Sequence, residues 1–196
     1  MIIKKIKSIW WRRVFSPIYS KWLRCIGVNV GKNVVFWGVP LIEYCRKNQV
    51  YIGNKVILCS KSDFTALGVR QPMVIRALTE KARIYIGDNV GLSGSTICAA
   101  TEITIAADTL VGANVSIVDT DFHPVEKGNR RNKPVSDAKS EKVVIGENVF
   151  IGTGSVVLKG GMIGANSVIG ALSLVTGYIP NDCVAVGTPA KVIRKL

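Results

Sequence analysis

His123 is the only histidine in the chain, and it stands in the string DTDFHP. Asp119 and Asp121 precede it closely and Pro124 follows. A neutral imidazole, with a pKa near ~6.5, can take a proton from a hydroxyl at pH 7, so this residue suits general-base work. Asp119, Asp121 and Glu102 are the carboxylates that could orient its second ring nitrogen. The sequence does not choose among them, and a solvated turn carboxylate is the plainer reading of each. A lone histidine is more often structural or superficial. Three facts raise the catalytic reading here: a repeat breaks at this point, two acids lie close by, and the proline stiffens the backbone.

The same count argues against metal chemistry. Catalytic zinc usually takes three protein ligands. This chain has one histidine, and its five cysteines (Cys25, Cys45, Cys59, Cys98, Cys183) show no ligand spacing. No metal is expected, although a three-fold axis could gather one histidine from each of three chains. The cysteines read as small, reduced hydrophobes of a cytoplasmic protein, with a lone reactive thiol as the lesser reading.

What must position His123 is a repeat. Ile145, Ile151, Val157, Ile163, Ile169 and Val175 fall six apart. The residues after them are Gly146, Gly152, Leu158, Gly164, Gly170 and Thr176; small residues such as Ser155, Gly161, Ser167 and Ser173 fall three further on. A period of six fits neither a helix nor a lone alternating strand. It predicts a short strand and a turn in each hexad, with three hexads forming a triangular coil of about 18 residues and coils stacked about 4.8 Å apart. The aliphatic residue points inward, and the glycine behind it is expected to permit turn conformations. Stacked coils then share one core, which no single coil could bury.

Upstream the phase recurs at Ile26-Gly27 with Val30, Ile52-Gly53 with Val56, Ile86-Gly87 with Val90 and Leu92, and Ile105, Val111 and Ile117. Between Ile97 and Ile105 it slips by about two residues, which predicts an enlarged coil. Residues 57 to 83 are weakly patterned. After Ile117 the repeat stops and returns at Val144-Ile145. The polar stretch between, loop 124–143, holds Pro134 and a basic group, Lys127, Arg130, Arg131 and Lys133. Such a loop is usually functional or disordered. Its cations could border an acceptor carrying phosphate or carboxylate, or simply face solvent.

Composition sets bounds. The chain has 196 residues, 48% of them apolar, and a net charge of +13, which suits one globular domain with a core. No apolar run approaches the length of a membrane span, and no secretory signal is read at the start. The charge is uneven: Lys4, Lys5, Lys7, Arg12, Arg13, Lys21, Arg24 and Lys32 all precede the first acid, Glu43. Ile2, Ile3, Ile6, Ile9, Trp10, Trp11, Val14 and Phe15 lie among them. This predicts a basic amphipathic segment, helical up to Pro17, with residues 1–25 forming a cap and residues 26–196 the repeat domain. A solenoid needs a cap. The alternative role for residues 1–17 is contact with an anionic membrane surface. Nucleic acid is not expected, because the charge sits at one end without a binding motif.

The hexads, with IGENVFIGTGSVV, resemble the hexapeptide-repeat acyltransferases, over about residues 26 to 194. The resemblance implies an all-β, left-handed parallel β-helix, although general chirality rules favour right-handed crossovers. Within that family DTDFHP is similar to the active-site segment of polysaccharide and sugar O-acetyltransferases, which implies His123 as general base and acetyl-CoA as cosubstrate. The closing string VAVGTPAKVIRKL is similar to the family's segment along the coenzyme. It implies backbone contacts to the pantetheine arm at Thr153 and Ala171, and phosphate contacts from Lys191 and Arg194. The family usually has a lysine where this chain has Gly177, so Lys159 or another lysine would have to substitute. The resemblance further implies a homotrimer with sites between neighbouring chains. The expected function is acetyl transfer to a hydroxyl of a sugar or nucleotide-sugar acceptor, in lipopolysaccharide or capsule assembly. An N-acetyltransferase on an amino sugar nucleotide and a non-enzymatic β-helical scaffold are the alternatives. The zinc carbonic anhydrases that share the repeat need three histidines, which this chain lacks.

Overall fold

The structure is a computed structural model that describes residues 2–128 and 130–196, with side chains described for 5–128, 131–134 and 136–196. Among the basic and apolar residues singled out above, the side chains of Ile2, Ile3, Lys4 and Arg130 lie outside the described residues.

The six-residue phase appears as three parallel sheets that form the sides of a triangular prism. The first face stacks Asn29–Val30, Val50–Ile52, Arg83–Ile86, Glu102–Ile105, Val143–Ile145, Met162–Ile163 and Tyr178–Ile179. The second stacks Val35–Trp37, Ile57–Cys59, Gly91–Ser93, Leu110–Ala113, Phe150–Ile151, Val168–Ile169, Cys183–Gly187 and Ala190–Lys195. The third stacks Leu41–Tyr44, Val74–Ala77, Thr96–Ala99, Ser116–Val118, Val156–Val157 and Leu174–Val175. All strand pairs are parallel except the last of the second face, where Ala190–Lys195 folds back on Cys183–Gly187. Ile145, Ile151, Val157, Ile163, Ile169 and Val175 are all buried in one continuous core, as their phase requires.

The glycines behind the aliphatic residues serve a purpose other than the expected one. Gly146 and Gly152 are not among the residues with positive φ. A Cβ on Gly146 would meet the Ala165 amide nitrogen of the next coil at 2.7 Å, and one on Gly152 would collide with the backbone of Ala171. The glycine is needed for the close approach of stacked coils. The left-handed turn falls two residues later, on Asn148 and Asn166 and on their counterparts Asn89, Asp108 and Asp182. Asn and Asp tolerate that region, and here their side chains also bond between coils. Asn89 Nδ2 donates to Asp108 Oδ1 at 2.7 Å, Asn148 Nδ2 to Asn166 Oδ1 at 3.0 Å, and Asn166 Nδ2 to Asp182 Oδ1 at 2.8 Å.

The N-terminal helices, Ile2–Trp10 and Ser16–Ile26 joined by a π-helical turn at Trp11–Phe15, pack over the open end of the coil. Pro17 does not end the helix. The wider turn before it and the Ser16 hydroxyl, which donates to Trp11 O at 2.7 Å, absorb the irregularity at Pro17. Ser16 Oγ also accepts the Phe36 amide at 2.9 Å, tying helix to coil, and Leu23 is fully buried in the core. Ile26 belongs to the helix and not to a coil. Gly27, at φ 109, caps that helix, and Val28 and Val30 supply the first inward residues. Among the described residues no helix is long and apolar enough to cross a membrane.

Candidate active site

The chain leaves the third face after Val118 and rejoins the first at Val143. Asp119 roots this excursion. It is fully buried, and its carboxylate accepts three hydrogen bonds: from the Ala100 amide at 2.6 Å, the Thr101 amide at 2.7 Å and the Thr101 hydroxyl at 2.8 Å. These groups lie where the repeat slips between Ile97 and Ile105, so Asp119 closes the widened coil beneath it. The two stems of the excursion are joined as well. The Glu141 amide donates to Asp119 O at 2.9 Å, the Asp121 amide to Lys139 O at 3.1 Å, and Ser140 Oγ to Thr120 Oγ1 at 2.9 Å. Thr120 and Ser140 form an antiparallel bridge.

Beyond this root the backbone turns sharply. The His123 amide donates to Asp121 O at 2.7 Å, which makes a three-residue turn around Phe122 at φ 62. A bulky aromatic residue in the left-handed region is strained, on the order of 1–3 kcal/mol. The turn exposes His123 while Pro124 behind it is buried. Among the described residues no group hydrogen-bonds the imidazole.

The acids expected to orient His123 do other work. Asp119 is committed to Ala100 and Thr101. Asp121 Oδ1 accepts from Lys159 Nζ at 2.7 Å, in an ion pair whose side chains are 21% and 29% exposed respectively. The other oxygen, Asp121 Oδ2, is buried without a hydrogen-bond partner. Lys159 is thus engaged at the root of the His123 loop. A Cβ at Gly177 would meet nothing within 4 Å, so that position is open space. Glu102 lies on a first-face strand, and among the described residues no hydrogen bond joins it to His123. The sequence hid both ion contacts, because Thr101 and Lys159 reach the loop root from different coils.

The residues expected to hold the donor lie on another edge, the corner between the second and third faces. Thr153 Oγ1 donates to Ala113 O at 2.7 Å, and the Leu172 amide donates to Thr153 O at 2.9 Å. Ala113, Thr153 and Ala171 thus rise as one column of small residues. Among the described residues, the N–H groups of Thr153 and Ala171 make no hydrogen bond. Both offer donors that an extended amide-bearing chain could accept. In the closing hairpin, Lys191 pairs with Val186, whose side chain lies over Gly170. That places Lys191 at the top of the column. Arg194 pairs with Val184, at the other end of the hairpin strand. Both cations are exposed.

The third face, roughly 15 Å wide at about five residues of strand and turn, separates the root of the His123 loop from this column. In the loop, Lys127, Arg131 and Lys133 are exposed. No group of three or more His, Cys, Asp or Glu that could hold a metal occurs among the described residues.

Residues 142–177 match the family of the bacterial transferase hexapeptide (six repeats). The chain is 46% identical over 101 residues to a galactoside O-acetyltransferase of Lactococcus lactis subsp. lactis (strain IL1403), a match that covers 52% of this chain and 47% of that protein. It is 36% identical over 118 residues to the putative lipopolysaccharide biosynthesis O-acetyl transferase WbbJ of Escherichia coli (strain K12), covering 57% of this chain and 60% of that one. The chain thus spans about half to three fifths of these relatives' lengths. Among solved structures, a galactoside acetyltransferase in complex with coenzyme A superimposes with a TM-score of 0.53 at 25% identity, covering 99% of this chain and 79% of that one. The prism is therefore the left-handed parallel β-helix.

Proposed function

We propose that this hexapeptide-repeat protein is an acetyl-CoA-dependent O-acetyltransferase that acts on a sugar hydroxyl in lipopolysaccharide, capsule or related polysaccharide assembly. The observation that carries the reading is the presentation of His123. A lone histidine is held outward by a strained turn, on a loop rooted by a buried carboxylate. Strain of this kind persists where surrounding structure enforces it, and it clusters at functional sites.

In this reading the His123 imidazole accepts the acceptor hydroxyl's proton as the oxygen attacks the thioester carbonyl. The new C–O bond forms, the C–S bond breaks, and the imidazolium returns its proton to the departing thiolate. Asp119 and Asp121 act as positioning residues: the first roots the loop, and the second carries the carbonyl that fixes the turn. The bare N–H groups of Thr153 and Ala171 suit the amides of a pantetheine arm. Lys191 and Arg194 suit the nucleotide phosphates.

In this reading the protein is a homotrimer, and the separation of the two half-sites supports it. His123 and the Thr153–Ala171 column lie on different corners, so a neighbouring copy that presents its column to His123 completes a site within reach of both. The second face offers surface for such packing: Ile57, Leu110 and Phe150 stand in one column of the sheet, and all three are exposed. The basic loop residues would border an acceptor with phosphate or carboxylate groups. Residues 1–25 cap the domain of residues 26–196, and residues 1–17 associate with an anionic membrane surface from the cytoplasmic side.

The test is His123→Ala with acetyl-CoA and a panel of hydroxyl and amino sugars, followed by product mass. Turnover should fall by about 10²–10⁴-fold, with the melting temperature unchanged. Near-normal turnover would remove the general-base role, and products acetylated only on nitrogen would remove the O-acetyltransferase reading.

A further inference from the structure

The N-terminal helices and the first coils form an open cavity of about 810 Å³. It opens on the corner between the first and second faces, which carries neither the His123 loop nor the Thr153–Ala171 column. Arg12, Arg13, Arg24, Lys32 and Lys55 line it, and no acidic residue does. Arg24 is fixed in place, its Nε donating to Val30 O and its Nη2 to Gly31 O, each at 2.8 Å. Among the described residues, the side chains of Arg12, Arg13, Lys32 and Lys55 make no hydrogen bond or ion pair. On this corner Asp88 is held by the side chain and backbone of Asn54, whose hydrogen bonds lower its pKa, with a smaller contribution from the charge of Lys55. The five cations are exposed, and together they give this cavity a concentrated positive field that favours an anion. Guanidinium and ammonium groups together suit phosphate, and the volume accommodates more than an inorganic ion.

The outer side of the same helices is apolar. Ile6, Trp10, Val14, Ile18 and Trp22 recur every four residues and are 45–66% exposed. Arg12 and Arg13 lie within this run. A soluble phosphate would need the cavity but not the stripe.

We infer that this cavity binds the phosphate or diphosphate headgroup of a lipid, with the stripe from Ile6 to Trp22 set against its acyl region. The inference rests on the anionic-surface reading of residues 1–17 and sharpens it. Diffuse attraction needs only net charge, whereas a headgroup site needs these five cations.

The test uses full-length protein and vesicles of phosphatidylcholine containing phosphatidic acid, at one fixed salt concentration. Lys32→Gln with Lys55→Gln removes two charges from the cavity and none from residues 1–17. Lys5→Gln with Lys21→Gln removes two charges outside it. The cavity variant should lose tenfold or more in vesicle affinity and the control less than threefold. Equal losses would overturn the site and leave only diffuse attraction. Loss of vesicle binding on deleting residues 1–17, beside equal losses in these two variants, would keep the surface reading and sink the cavity. Soluble pyrophosphate should compete in the wild type. Trp10→Ser with Ile18→Ser should abolish sedimentation while leaving pyrophosphate binding, measured by calorimetry, intact. If that variant sediments normally, the ligand is a free phosphate compound and the lipid assignment fails. Melting temperatures check folding, and acetyl transfer should be unchanged in the cavity variant.

Discussion

Two stretches of chain leave the coil, and they are tied down by different means. The first runs between Ile57–Cys59 and Val74–Ala77, at the corner of the second and third faces. It is closed on itself and joined to the coil by hydrogen bonds between uncharged groups, with one exposed ion pair, Asp63 to Lys7 at 4.0 Å, reaching the N-terminal helix. Ser62 Oγ donates to Val69 O and accepts the Val69 amide, both at 3.1 Å, and the Arg70 amide donates to Asn114 Oδ1 at 2.8 Å. Its left-handed residue, Gly68, carries no steric penalty. The second stretch, which bears His123, is anchored by a buried carboxylate and contains Phe122 in the left-handed region. An excursion that only needs covering can be seated with weak surface bonds. One that must hold a side chain outward at a fixed angle needs a deep anchor and tolerates strain.

Asp119→Ala is the strongest way to break that contrast. It removes the acceptor for two backbone amides, one of them buried, and a charge-assisted bond to a hydroxyl. A loss of about 3 kcal/mol is expected, which corresponds to a fall in melting temperature of roughly 6–12 °C for a chain of this size. Acetyl transfer should fall with it, because the stem that carries Asp121 O loses its root. A melt no lower than that of a Ser62→Ala protein would show that the two excursions are anchored alike.

Lys159→Met should have a smaller effect. It strands the Asp121 carboxylate, which already has one buried oxygen without a partner. Both side chains are partly exposed, so the loss should be about 1–2 kcal/mol and not the larger value of a fully buried pair. The variant separates anchoring by Asp119 from anchoring by Asp121. If turnover falls further than stability predicts, the ion pair sets the angle of His123 directly.

Phe122→Gly sharpens the same point from the opposite side. Glycine relieves the left-handed strain but frees the backbone, and these effects nearly cancel, within about 1 kcal/mol. The His123 amide would still reach Asp121 O, yet the turn would no longer be enforced. A protein as stable as the wild type but slower in turnover is expected. Unchanged turnover would mean that the strained turn has no catalytic use.

How far this contrast was legible in the sequence follows from coil length. Ile145 pairs with Ile163, and Ile151 with Ile169, at one uninterrupted coil, so the phase survives there. Ile52 pairs with Ile86, across the first excursion, and Ile105 with Ile145, across the second. The loss of period after Ile117 marked the second loop because regular hexads stand on both sides of it. The first loop lies among coils whose phase is already broken, so residues 57 to 83 read only as weak pattern. Asp119 was visible as an acid near His123, but its partners belong to the coil below, and only the register of Ile97 on Ile117 brings Ala100 and Thr101 under it. The contact of Lys159 with Asp121 is hidden in the sequence for a similar reason, since it is set by the length of the loop between them. The left-handed asparagines leave no such signal, because glycine is the residue type that ordinarily marks a turn. Here glycine answers to the spacing between coils and asparagine to the turn.

Ser62→Ala gives the smallest expected effect and the cleanest control. It deletes two hydrogen bonds at the base of the first excursion, both between exposed groups that water can replace. Such bonds contribute little net stability, so a loss within about 0.5–1 kcal/mol is expected. The loop also packs by shape: a Cβ on Gly94 would meet Val69 at 2.6 Å, and that contact survives the substitution. Acetyl transfer should therefore be unchanged. If Ser62→Ala instead slows transfer without destabilising the protein, the first excursion takes part in the site. It leaves at the same corner that carries Ala113, Thr153 and Ala171, and its Arg70 amide is already bonded to Asn114 beside Ala113. A slowed variant would thus assign this loop, like the one that bears His123, to the catalytic machinery.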